Sequence, residues 1–244
     1  MSPLTYRHRL TLAGSRTWGL LAALAAAVLT AGEALAHGVA QGDAGYIQES
    51  SGPLPVPFAY LGAKHMVTGY DHLLFLVGVI FFLYRRKDVA LYVSLFAVGH
   101  SLTLIYGVLA EVQVSAFLVD AVIGLSVAYK ALDNLGAFRT WFGVQPDTRV
   151  ATLVFGLFHG FGLATKILEF EMSPDGLFAN LVAFNVGVEI GQILALSAIL
   201  IAMSAWRRTA SFGRRAVAVN VALMCAGFIL TGYQLVGYFV YTPS

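Results

Sequence analysis

Six apolar stretches separated by short polar segments make up most of the chain from residue 58 onwards. They cover about residues 59–84, 89–109, 114–132, 150–168, 178–204 and 216–240. Each stretch is close to the roughly 20 residues that an α-helix needs to cross a hydrocarbon layer about 30 Å thick. The pattern therefore predicts an all-α membrane protein with six transmembrane helices.

A shorter apolar run near the N-terminus has the pattern of a secretory signal. Basic residues precede an apolar run from Trp18 to about Ala31, and the small-residue triplet Ala34-Leu35-Ala36 follows. These are the three parts of a cleavable signal peptide, although an uncleaved first span is the alternative. The predicted segments are a signal peptide at 1–36, an exported leader at 37–57 and a six-helix transmembrane domain at 58–244.

The basic residues of the predicted domain are distributed unevenly between its loops. They follow the first, third and fifth helices: Arg85, Arg86, Lys87, Lys130, Arg139, Arg149, Arg207, Arg208, Arg214 and Arg215. The opposite loops are mainly acidic, with Lys166 as the basic exception. Because short cytoplasmic loops carry the excess of Lys and Arg, both mature ends are expected to face outward from a bacterial inner membrane.

Composition narrows the classes of function. The chain has 244 residues, of which 58% are hydrophobic and 11% charged, whereas soluble domains are roughly half apolar and a quarter charged. A net charge of +2 is too small for nucleic-acid binding. The single cysteine, Cys225, excludes an internal disulfide, and the chain has no phosphate-binding Gly-x4-Gly-Lys loop for a nucleotide.

Two glycine pairs in the predicted helices are spaced for close helix packing. Gly156 and Gly160 are four residues apart in the fourth helix, and Gly187 and Gly191 are four apart in the fifth. Small residues at this spacing share one helical face and allow two backbones to approach closely in lipid. We interpret these glycines as packing positions.

Several ionisable and amide side chains interrupt the apolar stretches at membrane depth. They are His65, Asp71, His72, His100, Asp120, His159, Asn185, Glu189 and Gln192. Such groups are costly in hydrocarbon unless they are paired, and they mark ion paths, proton relays or ligand sites. Imidazole ligands suit nickel, cobalt, zinc or copper, so the histidines predict a transition-metal site, with a proton path as the alternative.

Depth along the predicted helices orders these groups. Four of them fall in one layer between the midplane and the outer face: His72, His100, His159 and Glu189. His65 precedes His72 by seven residues, which is about 10 Å along a continuous helix. Since two nitrogens of one metal ion cannot be that far apart, His65 is expected to serve a separate, outer step.

Two predictions concern side chains beside this layer. Asp71 points roughly 100° away from His72 on a helix, so it is expected to orient a histidine of another helix. Asn185 and Glu189 are four residues apart and are predicted to be the best chelating pair within one helix.

Four motifs resemble the HupE/UreJ family of nickel and cobalt permeases. They are His65-x5-Asp71-His72, Gly99-His100-Ser101-Leu102-Thr103, Phe158-His159-Gly160-Phe161-Gly162 and Phe184-Asn185-x-Gly187-x-Glu189-x-x-Gln192. The resemblance covers nearly the whole mature chain, and the signal peptide and six-helix layout also match. It implies that His65, Asp71, His72 and His159 handle metal.

One motif departs from the family pattern. Where the nickel permeases continue their fourth-helix motif with a second histidine and a glutamate, this chain has Leu163 and Lys166. The chain is therefore more similar to a UreJ-like side branch, and the resemblance leaves the transported metal open.

The leading hypothesis is a permease, not an enzyme, for a divalent transition metal such as nickel, cobalt or zinc. Two alternatives are a membrane-embedded metal-dependent hydrolase and a metal-binding subunit or assembly partner of a larger metalloenzyme complex. The expected partners are the metal ion and the lipid bilayer, with a homo-oligomer left open and nucleic acid excluded.

Signal-peptide cleavage is directly measurable. The mature protein should begin at His37, because the small-residue triplet ends at Ala36. Intact-mass measurement of the protein purified from membranes would contradict this expectation if residues 1–36 were retained.

Overall fold

A computed structural model describes residues 51–168 and 174–241, and the predicted signal peptide lies outside these ranges. Within them the protein is all-helical, which agrees with the expected fold class. The helices are α1 (Pro55–Thr68), α2 (Tyr70–Ile80), α3 (Arg86–Leu109), α4 (Ala116–Asn134), α5 (Ala137–Phe142), α6 (Thr148–Leu168), α7 (Leu177–Arg207) and α8 (Ala210–Tyr241).

Four of these helices are long and apolar enough to cross a membrane, namely α3, α6, α7 and α8. Helix α4 has 19 residues but carries Asp120, Lys130 and Asp133, which lower its hydropathy. The first apolar stretch is divided into α1 and α2, of 14 and 11 residues. The structure therefore supports a membrane protein with four candidate spans, and the count of six remains a prediction.

The first helix begins inside the segment predicted as an exported leader. Pro55 occupies its first turn, where the missing N–H costs nothing. The backbone N–H of Leu54 donates to Oδ1 of Asn180 in α7 at 2.7 Å, and Nδ2 of Asn180 donates to the Gly52 carbonyl at 3.0 Å. Contacts with α7 thus fix the chain before α1 begins.

The helices pack mainly in three pairs, α1 with α7, α3 with α6 and α4 with α8. A glycine lies at the closest approach in each pair. A methyl group on Gly187 of α7 would overlap the Ala59 carbonyl of α1, and one on Gly156 of α6 would lie 2.5 Å from the Phe96 carbonyl oxygen. Gly227 of α8 approaches Ala128 of α4 in the same way. The interpretation of Gly156 and Gly187 as packing positions is confirmed.

Side chains from later helices satisfy the polar backbone at the end of α2. The guanidinium of Arg207 donates to the Phe81 carbonyl at 2.7 Å and the Leu83 carbonyl at 3.0 Å, and it also contacts the Ile80 carbonyl. Carbonyl groups at and just beyond the last turn of a helix lack partners within it, so the guanidinium supplies donors to them. The long seventh helix therefore holds the far end of α2 in place.

A polar network ties α2 to α4 and α8. Nδ2 of Asn134 donates to the Gly78 carbonyl at 2.8 Å and to Oδ1 of Asn220 at 2.9 Å. Nζ of Lys130 donates to Oδ1 of Asn134 at 2.8 Å and to Oδ2 of Asp133 at 2.5 Å. Hydrogen bonds of this kind orient the short α2 against the longer helices.

Replacing Gly187 by alanine tests the α1–α7 contact. The added methyl group would overlap the α1 backbone, so Gly187→Ala is expected to lower the free energy of unfolding by about 1–3 kcal/mol. Gly232→Ala is the matched control, because Gly232 is exposed on α8 with no other atoms within 4 Å of an added methyl group. Thermal unfolding in detergent measures both, and equal stability of the two variants would argue against the close contact.

Candidate metal centre

Three buried histidines from three helices meet in the interior. His65 lies near the end of α1, His72 in the first turn of α2 and His100 in the middle of α3. One potential ligand atom from each lies within 4.8 Å of the other two. Nitrogens bound to one tetrahedral ion are about 3.4 Å apart, so modest side-chain rotation would bring these three onto a single metal.

A fourth imidazole lies against this group. The ring centroid of His159 in α6 is 4.9 Å from that of His72, and both side chains are fully buried. The rings of His65 and His100 are 5.2 Å and 5.8 Å from His72. We refer to these four residues as the histidine cluster, with His72 at its centre.

The expected separation of about 10 Å between His65 and His72 is wrong. It assumed a continuous helix, but α1 ends at Thr68 and α2 begins at Tyr70, with Gly69 in an extended conformation between them. The change of direction brings His65 and His72 into ring contact despite their separation of seven residues. The two histidines therefore lie side by side in the histidine cluster.

The close approach at the break requires glycine. A Cβ atom on Gly69 would lie 2.6 Å from Nδ1 of His72 and 3.3 Å from Oδ1 of Asp71. The φ of Gly69 is −72°, so steric space and not a left-handed backbone makes glycine necessary. The break and the position of His72 are thus coupled.

Asp71 orients the histidine next to it in the chain, which corrects the expectation that it serves another helix. Oδ1 of Asp71 accepts the backbone N–H of His72 at 2.8 Å and lies 3.1 Å from Nδ1 of its ring. This geometry is possible because both residues lie in the first turn of α2, where backbone N–H groups have no partner within the helix. A proton on Nδ1 would leave Nε2 as the metal-binding nitrogen.

The other two histidines differ in their surroundings. Oγ of Ser126 donates to the Ile123 carbonyl at 2.6 Å and lies 3.3 Å from Nε2 of His159. Since the hydroxyl proton is already used, this contact fits a His159 tautomer that donates from Nε2. Both ring nitrogens of His100 are buried without a hydrogen-bond partner among the described residues.

Aromatic rings exclude water around the cluster. The Phe96 ring is 4.9 Å from that of His159 and 6.1 Å from that of His72, and the Phe75 ring is 5.5 Å from that of His159. On the other side the Phe184 ring lies 6.1 Å from His65. Imidazoles in such an apolar enclosure gain by sharing a cation.

Asp120 is engaged by a lysine. Its Oδ2 accepts from Nζ of Lys166 at 2.7 Å, and both side chains are buried between α4 and α6. Asp120 was predicted among the metal ligands, but in this structure a protein ammonium group occupies one of its oxygens.

The two residues of the predicted pair, Asn185 and Glu189, differ in burial. Asn185 is buried, and its Nδ2 donates to the Leu181 carbonyl of its own helix at 2.9 Å. Glu189 is exposed on α7, whereas the histidines it was expected to join are buried. The face of α7 that packs on α1 bears Gly187 and Gly191, and the side chain of Glu189 is exposed.

Sequence reasoning missed three residues around the site. Ser126, Phe75 and Phe96 all contact the cluster, but only Ser126 carried a signal, as a hydroxyl group within an apolar stretch. Phenylalanines are too common in membrane helices for any one to stand out.

Comparison with known proteins finds a family match over most of the chain. A model of the family described as HupE / UreJ protein matches residues 41–242 of this chain, which confirms the resemblance carried by the motifs. No curated protein and no solved structure matches.

Gly69→Ala tests the coupling between the helix break and the site. The added methyl group would displace the ring of His72, and we expect the affinity for Co²⁺ to fall about tenfold, as when a ligand-orienting contact is lost. Co²⁺ titration followed by visible absorption measures the affinity, with Gly232→Ala as the matched glycine control. If the Co²⁺ affinity of Gly69→Ala were unchanged, the helix break at Gly69 would not control metal binding.

Proposed function

The chain belongs to the HupE/UreJ family, and from that premise we propose that it is a permease carrying a divalent transition metal, nickel or cobalt, through its histidine cluster. Membership associates the protein with uptake or handling of these metals. The substrate, the transport activity and the residues that bind the ion are the parts that we propose.

The observation that carries the proposal is the convergence of imidazoles from separate helices in the interior. Ligand atoms of His65, His72 and His100 lie within 4.8 Å of one another, and His159 adjoins them. Buried ionisable groups at membrane depth are costly without a partner. Both ring nitrogens of His100 accept and donate no hydrogen bond among the described residues, and a bound cation would supply a partner for this imidazole.

The chemistry of the ligands favours the metals that the family handles. Nitrogen ligands of intermediate softness suit Ni²⁺, Co²⁺ and Zn²⁺, whereas Mg²⁺ and Ca²⁺ require oxygen. Asp71 would act mainly by orienting His72, as carboxylates beside metal-bound histidines do. The proposed ligands are therefore the four imidazoles.

The broken first helix supports transport over a purely structural metal site. Substrate sites of secondary transporters are often built by discontinuous helices near the centre of the membrane. Here the break at Gly69 lies between two members of the cluster, His65 and His72. A small change of angle between α1 and α2 would move these two imidazoles apart and release the ion.

Uptake into liposomes tests this proposal. Purified protein reconstituted into vesicles that enclose a metal-sensitive dye should admit Ni²⁺ or Co²⁺ faster than protein-free vesicles. His72→Ala and His100→Ala should each lower the rate at least tenfold, because loss of one ligand weakens affinity by about that factor. Phe228→Ala is the control, since it removes a ring from an exposed position on α8.

Two outcomes would contradict the proposal. Uptake equal to that of empty vesicles would exclude transport by this chain alone. Stoichiometric metal that copurifies and does not exchange would favour a resident ion, as in a metal-dependent hydrolase or a subunit of a larger complex.

A further inference from the structure

A buried ion pair lies beside the histidine cluster and has no role in the proposal so far. Nζ of Lys166 and Oδ2 of Asp120 are 2.7 Å apart, and the two residues are 8% and 6% exposed. The pair joins α4 to α6. Burying two opposite charges contributes little net stability, because the cost of desolvation offsets their attraction. Stabilising the contact between α4 and α6 is therefore a weak explanation for this ion pair.

The pair lies close to the cluster along α6. A methyl group on Gly162 would lie 3.3 Å from Oδ1 of Asp120, and Gly162 is about one helical turn from His159. Oδ1 of Asp120 is buried and accepts no hydrogen bond from the described residues. The nearest atom to that methyl group would be Cδ1 of Ile123 at 2.8 Å, so α4 and α6 pack closely around this oxygen. Asp120 thus has an oxygen atom that accepts no hydrogen bond from the described residues, about one turn of α6 from His159.

We propose that Lys166 is a specificity-determining residue: its ammonium binds Asp120 as a tethered cation and keeps this carboxylate from coordinating an ion in the histidine cluster. This inference rests on the proposed metal-binding function. With Asp120 neutralised, the ion is bound mainly by imidazole nitrogen, which favours Co²⁺, Ni²⁺ and Zn²⁺. An added carboxylate would favour harder ions such as Mn²⁺.

Removing the ammonium group should therefore change metal preference. In Lys166→Met the side chain keeps a similar length without the charge, and Asp120 becomes available as an oxygen ligand. We expect the affinity for Mn²⁺ to rise about tenfold relative to that for Co²⁺, which is the scale at which one coordinating contact changes affinity. Electron paramagnetic resonance of free Mn²⁺ and visible absorption of bound Co²⁺ measure the two affinities in purified protein.

The double variant Lys166→Met with Asp120→Asn identifies the responsible oxygen. It lacks the carboxylate, so its Mn²⁺ to Co²⁺ preference should return to that of the wild type. Asp120→Asn alone leaves the ammonium uncompensated beside the cluster and should bind both ions at least tenfold more weakly than the double variant. Comparing the double variant with Asp120→Asn tests the role of Lys166 even if Lys166→Met alone does not fold.

Lys130→Met is the matched control. Lys130 is also a buried lysine paired with an aspartate, Asp133, but that pair lies within α4 and joins the network around Asn134. Loss of the Lys130 ammonium group should leave the preference between Mn²⁺ and Co²⁺ unchanged.

The results separate the two proposals. Wild-type protein that binds neither ion would overturn both. Wild-type protein that binds Co²⁺, with no change of preference in Lys166→Met, would overturn only the role of Lys166. No recovery of affinity in the double variant over Asp120→Asn would show Asp120 to be a ligand already, and would also overturn that role.

Discussion

In a hydrocarbon layer each polar group must find its partner within the protein, and this constraint accounts for most of the specific contacts in this bundle. Arg207 binds the carbonyls at the end of α2, Asn134 links three helices, and Lys166 pairs with Asp120. In the histidine cluster, His100 is the residue whose two ring nitrogens have no hydrogen-bond partner among the described residues. Under the proposed function, a bound cation would supply that partner.

Glycine contacts make the interior small enough for such a cluster. Gly99 and Gly160 bring α3 and α6 together at the level of His100 and His159, and Oγ of Thr103 donates across the contact to the Leu157 carbonyl at 2.7 Å. Gly187 does the same for α7 and α1, which carries His65. Close backbones therefore set the distances between imidazoles that belong to different helices.

Under the proposed function, the junction between α1 and α2 is the part of the bundle that would change during transport. Gly69 separates them, and α2 is held at its far end by Arg207 and by Asn134. His72 sits next to the break and contacts the other three imidazoles of the cluster. A helix break beside a central histidine would suit the proposed site, which must both bind an ion and release it.

Local sequence was enough to indicate an all-helical membrane protein, the packing glycines, the family motifs and the histidines as candidate ligands. These features depend on hydropathy, spacing and residue chemistry, which are properties of short segments. The tertiary structure decided three other features. They are the ring contact between His65 and His72, the ion pair of Asp120 with Lys166, and the exposure of Glu189. A helix break changes the direction of every side chain beyond it, and the buried face of a helix depends on the helices packed against it. The spacing of residues along the sequence therefore determines neither the side-chain directions after a break nor which face is buried.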